Sequence, residues 1–206
     1  MNSKILSGLM LFLIFLAAVS CAPKKPAIER NHYLLEASRE RLPDQKSIPA
    51  VLTVRDFSVS PGYQGKEIVY KTAKGVARRD FYSHYFVLPG PMIAQLTRSW
   101  IRDSGLFASV IPMSSHKESD YILEGAVSSI YGNLQEPAEP QGVVEINFLL
   151  LKTSDFGFEI VFQKKYRAET TMNGTGAQFL VEALNKSLED ILSSLEGDMA
   201  GAFADG

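Results

Sequence analysis

Six apolar residues near the C-terminus, Leu180, Leu184, Leu188, Ile191, Leu195 and Met199, recur at spacings of 4, 4, 3, 4 and 4. That is the period of one face of an α-helix. A stripe of this length must be buried against another layer. It reads as the core face of a helix lying on a sheet more readily than as a coiled-coil seam. Thr175, with Gln178 three residues on, fits a capping box at its start.

The rest of the chain supplies the sheet. HYLLEA (32–37), VLTVRDFSV (51–59), EIVYKT (67–72) and an extended piece running from Gly75 into DFYSHYFV read as strands. A polar link containing Pro43 and Pro49 separates the first two, and Pro61-Gly62-Tyr63 marks a turn. Pro89-Gly90-Pro91 opens a first helix with Ile93, Leu96, Trp100 and Ile101 on its apolar face, and Gly105 stands where a C-terminal cap belongs. Trp100 is therefore expected in the core. LFASVI (106–111), Tyr121–Tyr131, Val143–Lys152 and Phe158–Glu169 read as further strands, the last two joined by a turn at Ser154-Asp155-Phe156-Gly157. The polar segment 132–142 is expected to be an exposed hairpin tip, with partner contact as its sharper alternative. The order predicts an α+β domain: an antiparallel or mixed sheet with two helices on one face.

The chain starts with MNSK, then runs without charge from Ile5 to Val19 and meets Cys21 directly after the small residues of AVS. A basic start, an apolar middle and small residues at its end make a secretory signal. The fifteen uncharged residues fall short of the roughly 20 that a spanning helix needs. AVSC resembles the lipobox of bacterial lipoproteins, in which the cysteine is alkylated by a diacylglyceryl group and becomes the first residue. An ordinary signal peptide that meets a cysteine is the alternative, and a cytoplasmic protein with an apolar N-terminal helix a more remote one. The organisation expected is a signal peptide at 1–20, a lipidated N-terminus and proline-rich tether at 21–31, and one domain at 32–206. Ala22, where aspartate often retains a lipoprotein at the inner membrane, favours the periplasmic face of the outer membrane.

Composition narrows the chemistry. Without Lys4 the mature chain carries 20 basic against 23 acidic side chains, so there is no basic excess for gripping nucleic acid. Cys21 is the sole cysteine, and His32, His84 and His116 lie far apart in sequence, a poor inventory for a metal site. No phosphate loop, nucleophile elbow or metalloprotease motif occurs. No cofactor and no catalytic residue is expected. Arg79, Asp80 and His84 are near enough in sequence to suggest an acid–base group, but nothing else in the chain supports one.

The lipobox cysteine followed by HYLLEA, VLTVRDFSV, EIVYKT, DFYSHYFVLPGPM and SGLFASVI resembles the auxiliary lipoprotein of ABC-type lipid and organic-solvent transport systems, the PqiC-like group. The likeness covers roughly residues 32–195. Two departures stand out: Tyr85 or Phe86 replaces a tryptophan, and Gly90 separates two prolines that are adjacent in the family. The resemblance implies partners and no reaction. They are an MCE-domain protein and, through it, a permease and an ATPase; a homo-oligomer is also implied. A docking role would draw on surface aromatics, and Tyr82, Tyr85 and Phe86 are the candidates, with edge-strand core as their competing role. Two other readings remain: an outer-membrane assembly factor binding another envelope protein, and an envelope hydrolase or small-ligand binder.

Overall fold

The computed structural model describes residues 30–39 and 47–204. The signal segment, Cys21 and the tether up to residue 29 lie outside the described residues, as does most of the link around Pro43. Among the described residues, nine strands form one mixed sheet. In chain order they are β1 (Asn31–Tyr33), β2 (Ile48–Val54), β3 (Ser58–Val59), β4 (Glu67–Ala73), β5 (Val76–Tyr85), β6 (Phe107–Pro112), β7 (Tyr121–Asn133), β8 (Gln141–Ser154) and β9 (Gly157–Thr171). Helix α1 (Pro89–Ser104) follows β5, and helix α2 (Ala177–Ala204) follows β9. The α+β class with two helices is the one the pattern predicts.

β7 is the organising strand. It pairs antiparallel with β8 along its length, and β8 pairs in the same sense with β9. On its other side β2, β3 and β4 join it in succession, all parallel. The sheet therefore forks: β2 leads to β6, and β4 leads to β5 and then β1.

One side of this sheet is packed by the helices. Val144, Ile146, Phe148 and Leu150 alternate along β8 and have no exposed surface, nor do Leu180, Leu184, Leu188, Leu195 and Met199 on α2. Each such side chain contributes about 1.5–3 kcal/mol by leaving water. Close approach depends on a missing side chain: a Cβ on Gly142 would lie 2.8 Å from the Ala183 Cβ. Gly90 serves α1 in the same way, since a Cβ there would lie 2.5 Å from the Phe57 carbonyl oxygen. That contact accounts physically for a glycine between the two prolines. A carboxylate ties the layers together: Glu196 on α2 accepts from the Trp100 indole at 2.9 Å and from two Arg39 nitrogens at 2.8 and 2.7 Å. Trp100 is buried, as expected.

Three local readings change. HYLLEA is a strand only at its start, because the chain leaves β5 after Tyr33 and passes over the helices, where the Glu36 amide bonds Asn185. The run 51–59 is broken at Arg55-Asp56-Phe57, where the Phe57 ring turns inward over Gly125 and meets Phe148 edge-on at 5.5 Å. The capping box is not formed: α2 starts after Gly176, whose φ is 114°, and the Gln178 amide donates forward to Glu182 at 3.2 Å. The C-terminal cap of α1 is as read, with Gly105 at φ 70° donating to the Arg102 carbonyl.

Candidate interaction site

The aromatic run after Gly75 sits on β5, between β4 and the edge strand β1. Its register is irregular: five steps on β5, from Arg79 to His84, oppose two steps on β4, from Val69 to Glu67. The extra residues form a wide bulge at 80–83. Asp80 closes it, its Oδ1 accepting from the Tyr82 amide at 2.8 Å and the Ser83 amide at 3.0 Å. A bulge re-aims side chains, and here it throws Phe81 and Tyr82 outward with their rings 5.2 Å apart, edge to face. Arg30, on the residue before β1, lies over the Phe81 ring at 5.1 Å.

After the bulge the alternation resumes and divides the predicted candidates. Tyr82 and Phe86 are 57% and 61% exposed, while Tyr85 is 2% exposed. Tyr85 belongs to the core and not to a contact surface, because Ser83 and Tyr85 share the inward side of β5. Its hydroxyl has no hydrogen-bond partner among the described residues, and neither has that of Tyr70. Burial, and then the neighbouring Tyr70, push its ionisation well above the ordinary tyrosine value. Phe86 meets His32 edge-on at 6.2 Å, and Leu34, Val87 and Leu88 extend the exposed apolar surface beside it. We call this corner the shelf.

Arg79, Asp80 and His84 do not converge on one another. Arg79 pairs with Glu67 at 3.2 Å, Asp80 holds the bulge, and the His84 ring faces His32 at 6.1 Å. Glu67 is held below the usual carboxylate range by a backbone hydrogen bond and by Arg79.

A second exposed apolar corner was not among the sequence candidates. Phe156 at the β8–β9 turn is fully exposed, and Phe158 and Ile160 on the free edge strand β9 are largely so. The signal was present: a phenylalanine within a four-residue turn has no core to enter. Arg55, paired with Glu124, lies 5.8 Å from the Phe158 ring centre. Further along β9 the edge is charged. Lys165 and Arg167 flank Glu145 at 3.7 and 3.5 Å, and Lys164 pairs with Asp198 of α2 at 2.7 Å. Glu145 is held below its ordinary range by the Ser128 hydroxyl and then by the two cations. Charges of this kind keep an edge from pairing with other chains; at 156–160 a single charge, Glu159, lies between the exposed Phe158 and Ile160.

The two corners lie far apart on the sheet. Through the pairings, the shelf is level with the middle of β7, while the hairpin tip lies beyond its N-terminal end and four strands across. At ~3.3 Å per residue and ~4.8 Å per strand, the path between them along the sheet is roughly 35–40 Å.

No family model matches the chain, and no curated protein matches it. Solved structures do. A protein of Xanthomonas campestris, XCC0632, described under the family model DUF330, superimposes with a TM-score of 0.75 at 18% identity, covering 85% of this chain and 98% of that one. In fold, the two are alike. An uncharacterised protein superimposes at 0.65 with 13% identity, over 83% of this chain and 99% of its own. Lipoprotein GNA1162 of Neisseria meningitidis aligns at 0.40 and 11% identity, over 74% of this chain and 99% of its own, too distant to bear on function. The likeness to the first two extends to the whole α+β domain and concerns the fold alone.

Proposed function

We propose that this chain is a non-enzymatic lipoprotein component of an ABC/MCE-type intermembrane transport system for lipid or organic solvent. In this reading Cys21 carries the lipid anchor at the periplasmic face of the outer membrane. The domain docks the periplasmic assembly there by binding its MCE-domain protein, and through it the permease and ATPase. The observation that carries the reading is the placement of two exposed apolar corners on different strands of one sheet, on β5 and at the β8–β9 turn. An adaptor between a membrane and an assembly needs two working surfaces. Arg30, beside the shelf, is nine residues after Cys21, which supports the hairpin corner at Phe156, Phe158 and Ile160 as the surface for the assembly. The family resemblance over residues 32–195 supplies the partner.

The experiment is co-purification of the lipidated protein with the MCE-domain protein in mild detergent. Co-elution that Phe156→Ser with Ile160→Ser abolishes is the expected result. No association with the MCE protein overturns the proposal, and recovery of a β-barrel instead would assign the chain to outer-membrane assembly. Cys21→Ala is expected to move the folded domain from the membrane fraction to the soluble one.

A further inference from the structure

The shelf faces neither the core nor the hairpin corner, and its chemistry is distinctive. Phe81 and Tyr82 on the bulge, and Phe86 just past the end of β5, present three exposed aromatic rings, with Leu34, Val87 and Leu88 also exposed in the adjoining chain. Two basic groups touch this stretch and a third lies on its strand. Arg30 lies over Phe81, Lys66 donates to the Phe86 carbonyl at 2.9 Å with its ammonium at the surface, and Arg78 is exposed on the same strand. Among the described acidic groups, Glu67 pairs with Arg79 and Asp80 holds the bulge amides, while Glu36 is exposed two residues beyond Leu34. Aromatic rings fringed by Lys and Arg suit the headgroup level of a bilayer, where rings sit at the apolar boundary and cations meet anionic lipid.

The chain's own geometry leads to the same surface. Arg30 and β1 form one wall of the shelf, and Cys21 is nine residues upstream, with Lys24 and Lys25 between them. Nine residues reach at most about 32 Å, and proline-rich segments are semi-rigid and extended at roughly 3.1 Å per residue. A lipid on Cys21 would therefore keep Arg30, and the shelf beside it, within roughly 32 Å of the bilayer. At such range even a weak surface contact acts at an effective concentration on the order of millimolar.

We propose that the shelf is a membrane-contact surface: Phe81, Tyr82 and Phe86 enter the interface of a bilayer containing anionic lipid, and fix the domain's orientation beneath its anchor. The proposal keeps the expectation that Tyr82 and Phe86 touch something outside the domain, and makes that something lipid. It rests on the anchor read at Cys21, and the test separates the two. The mature chain from residue 21, carrying Cys21→Ser and thus no lipid, is sedimented with phosphatidylethanolamine vesicles with and without phosphatidylglycerol. It should partition onto the anionic vesicles, and Phe81→Ser, Tyr82→Ser and Phe86→Ser together should weaken this at least about tenfold with an unchanged melting curve, the three rings being exposed. Equal partitioning of the two chains overturns the proposal. In the lipid-anchored protein, Phe86→Trp should be quenched by lipids brominated in the upper acyl chain, while the buried Trp100 is not. Absence of that quenching also overturns it. Loss of MCE-protein binding by the triple variant, with vesicle partitioning unchanged, would assign the shelf to a protein partner instead. The mass of the mature N-terminus reports separately on the anchor.

Discussion

Asp80–Phe86 and Asp155–Ile160 are both short aromatic runs headed by an aspartate, and the sheet treats them differently. In the first, a neighbouring strand lies on each side, and the bulge splits the run into Tyr85 inside and Phe81, Tyr82 and Phe86 outside. In the second, the run turns a corner onto an edge strand, and Phe156, Phe158 and Ile160 all remain outside. Aromatic content is the same kind of signal in both. What decides burial is how many elements close over the strand, which is a property of the fold.

The sharpest way to break this contrast is at Tyr85. Tyr85→Ala removes a large fully buried side chain and should cost about 3–5 kcal/mol of unfolding free energy, read by urea denaturation. Phe156→Ala should change it by less than about 0.5 kcal/mol. A similar cost at both positions would mean that the corners are not different after all. Tyr85→Phe sharpens the comparison further. Because the buried hydroxyl has no partner among the described residues, its removal should be neutral or mildly stabilising.

Next in size is Asp80. Its carboxylate satisfies two bulge amides, so Asp80→Ala should cost about 1–2 kcal/mol. It should also weaken vesicle binding without touching a shelf ring, because Phe81 and Tyr82 lose their aim. Asp80→Asn keeps an acceptor oxygen and should recover much of both. If Asp80→Ala leaves vesicle binding intact, the bulge is not what positions the shelf.

A smaller effect is expected where β9 meets α2. Asp198 accepts from the Lys164 ammonium and from the Tyr166 hydroxyl at 2.5 Å, and these bonds hold its carboxyl below the ordinary range. A carboxyl so depressed contributes stability that is fully present above its unfolded pKa, near 4, and that is lost as pH falls through its lower folded value. Asp198→Asn should therefore lower the melting temperature at neutral pH, by a margin that shrinks as the pH falls below about 4. A difference that persists unchanged in acid would remove Asp198 from the account of how the β9 side is held.

Much of this fold was readable because its signals are local and repetitive. The α2 stripe, the Gly105 cap and the alternation along β7 and β8 each follow from a period or a single φ requirement. The break at Arg55–Phe57 was not readable: β-branched residues favour strand on both sides, and the interruption comes from Gly125 on another strand leaving room for the Phe57 ring. The capping box failed for a related reason, since Gly176 at positive φ sets the helix start after it. At the shelf, the run Tyr82–Phe86 was legible as aromatic but not as divided, because the division depends on a bulge whose register is fixed by β4. Cys21 is the opposite case. Its reading is local to AVSC, and it lies outside the described residues.

A change that costs little stability per site is also the most informative about function. Phe156, Phe158 and Ile160 have little to lose on substitution, so the triple change to Ser should shift unfolding by no more than about 0.5 kcal/mol per site. It should still abolish co-elution with the MCE-domain protein while leaving vesicle partitioning as it was. The shelf variant should give the reverse pattern. Two surfaces on one rigid sheet, each removable without the other, would make the domain a two-ended adaptor. If either triple variant removes both activities, the two corners act as one site, and their separation across the sheet has no functional meaning.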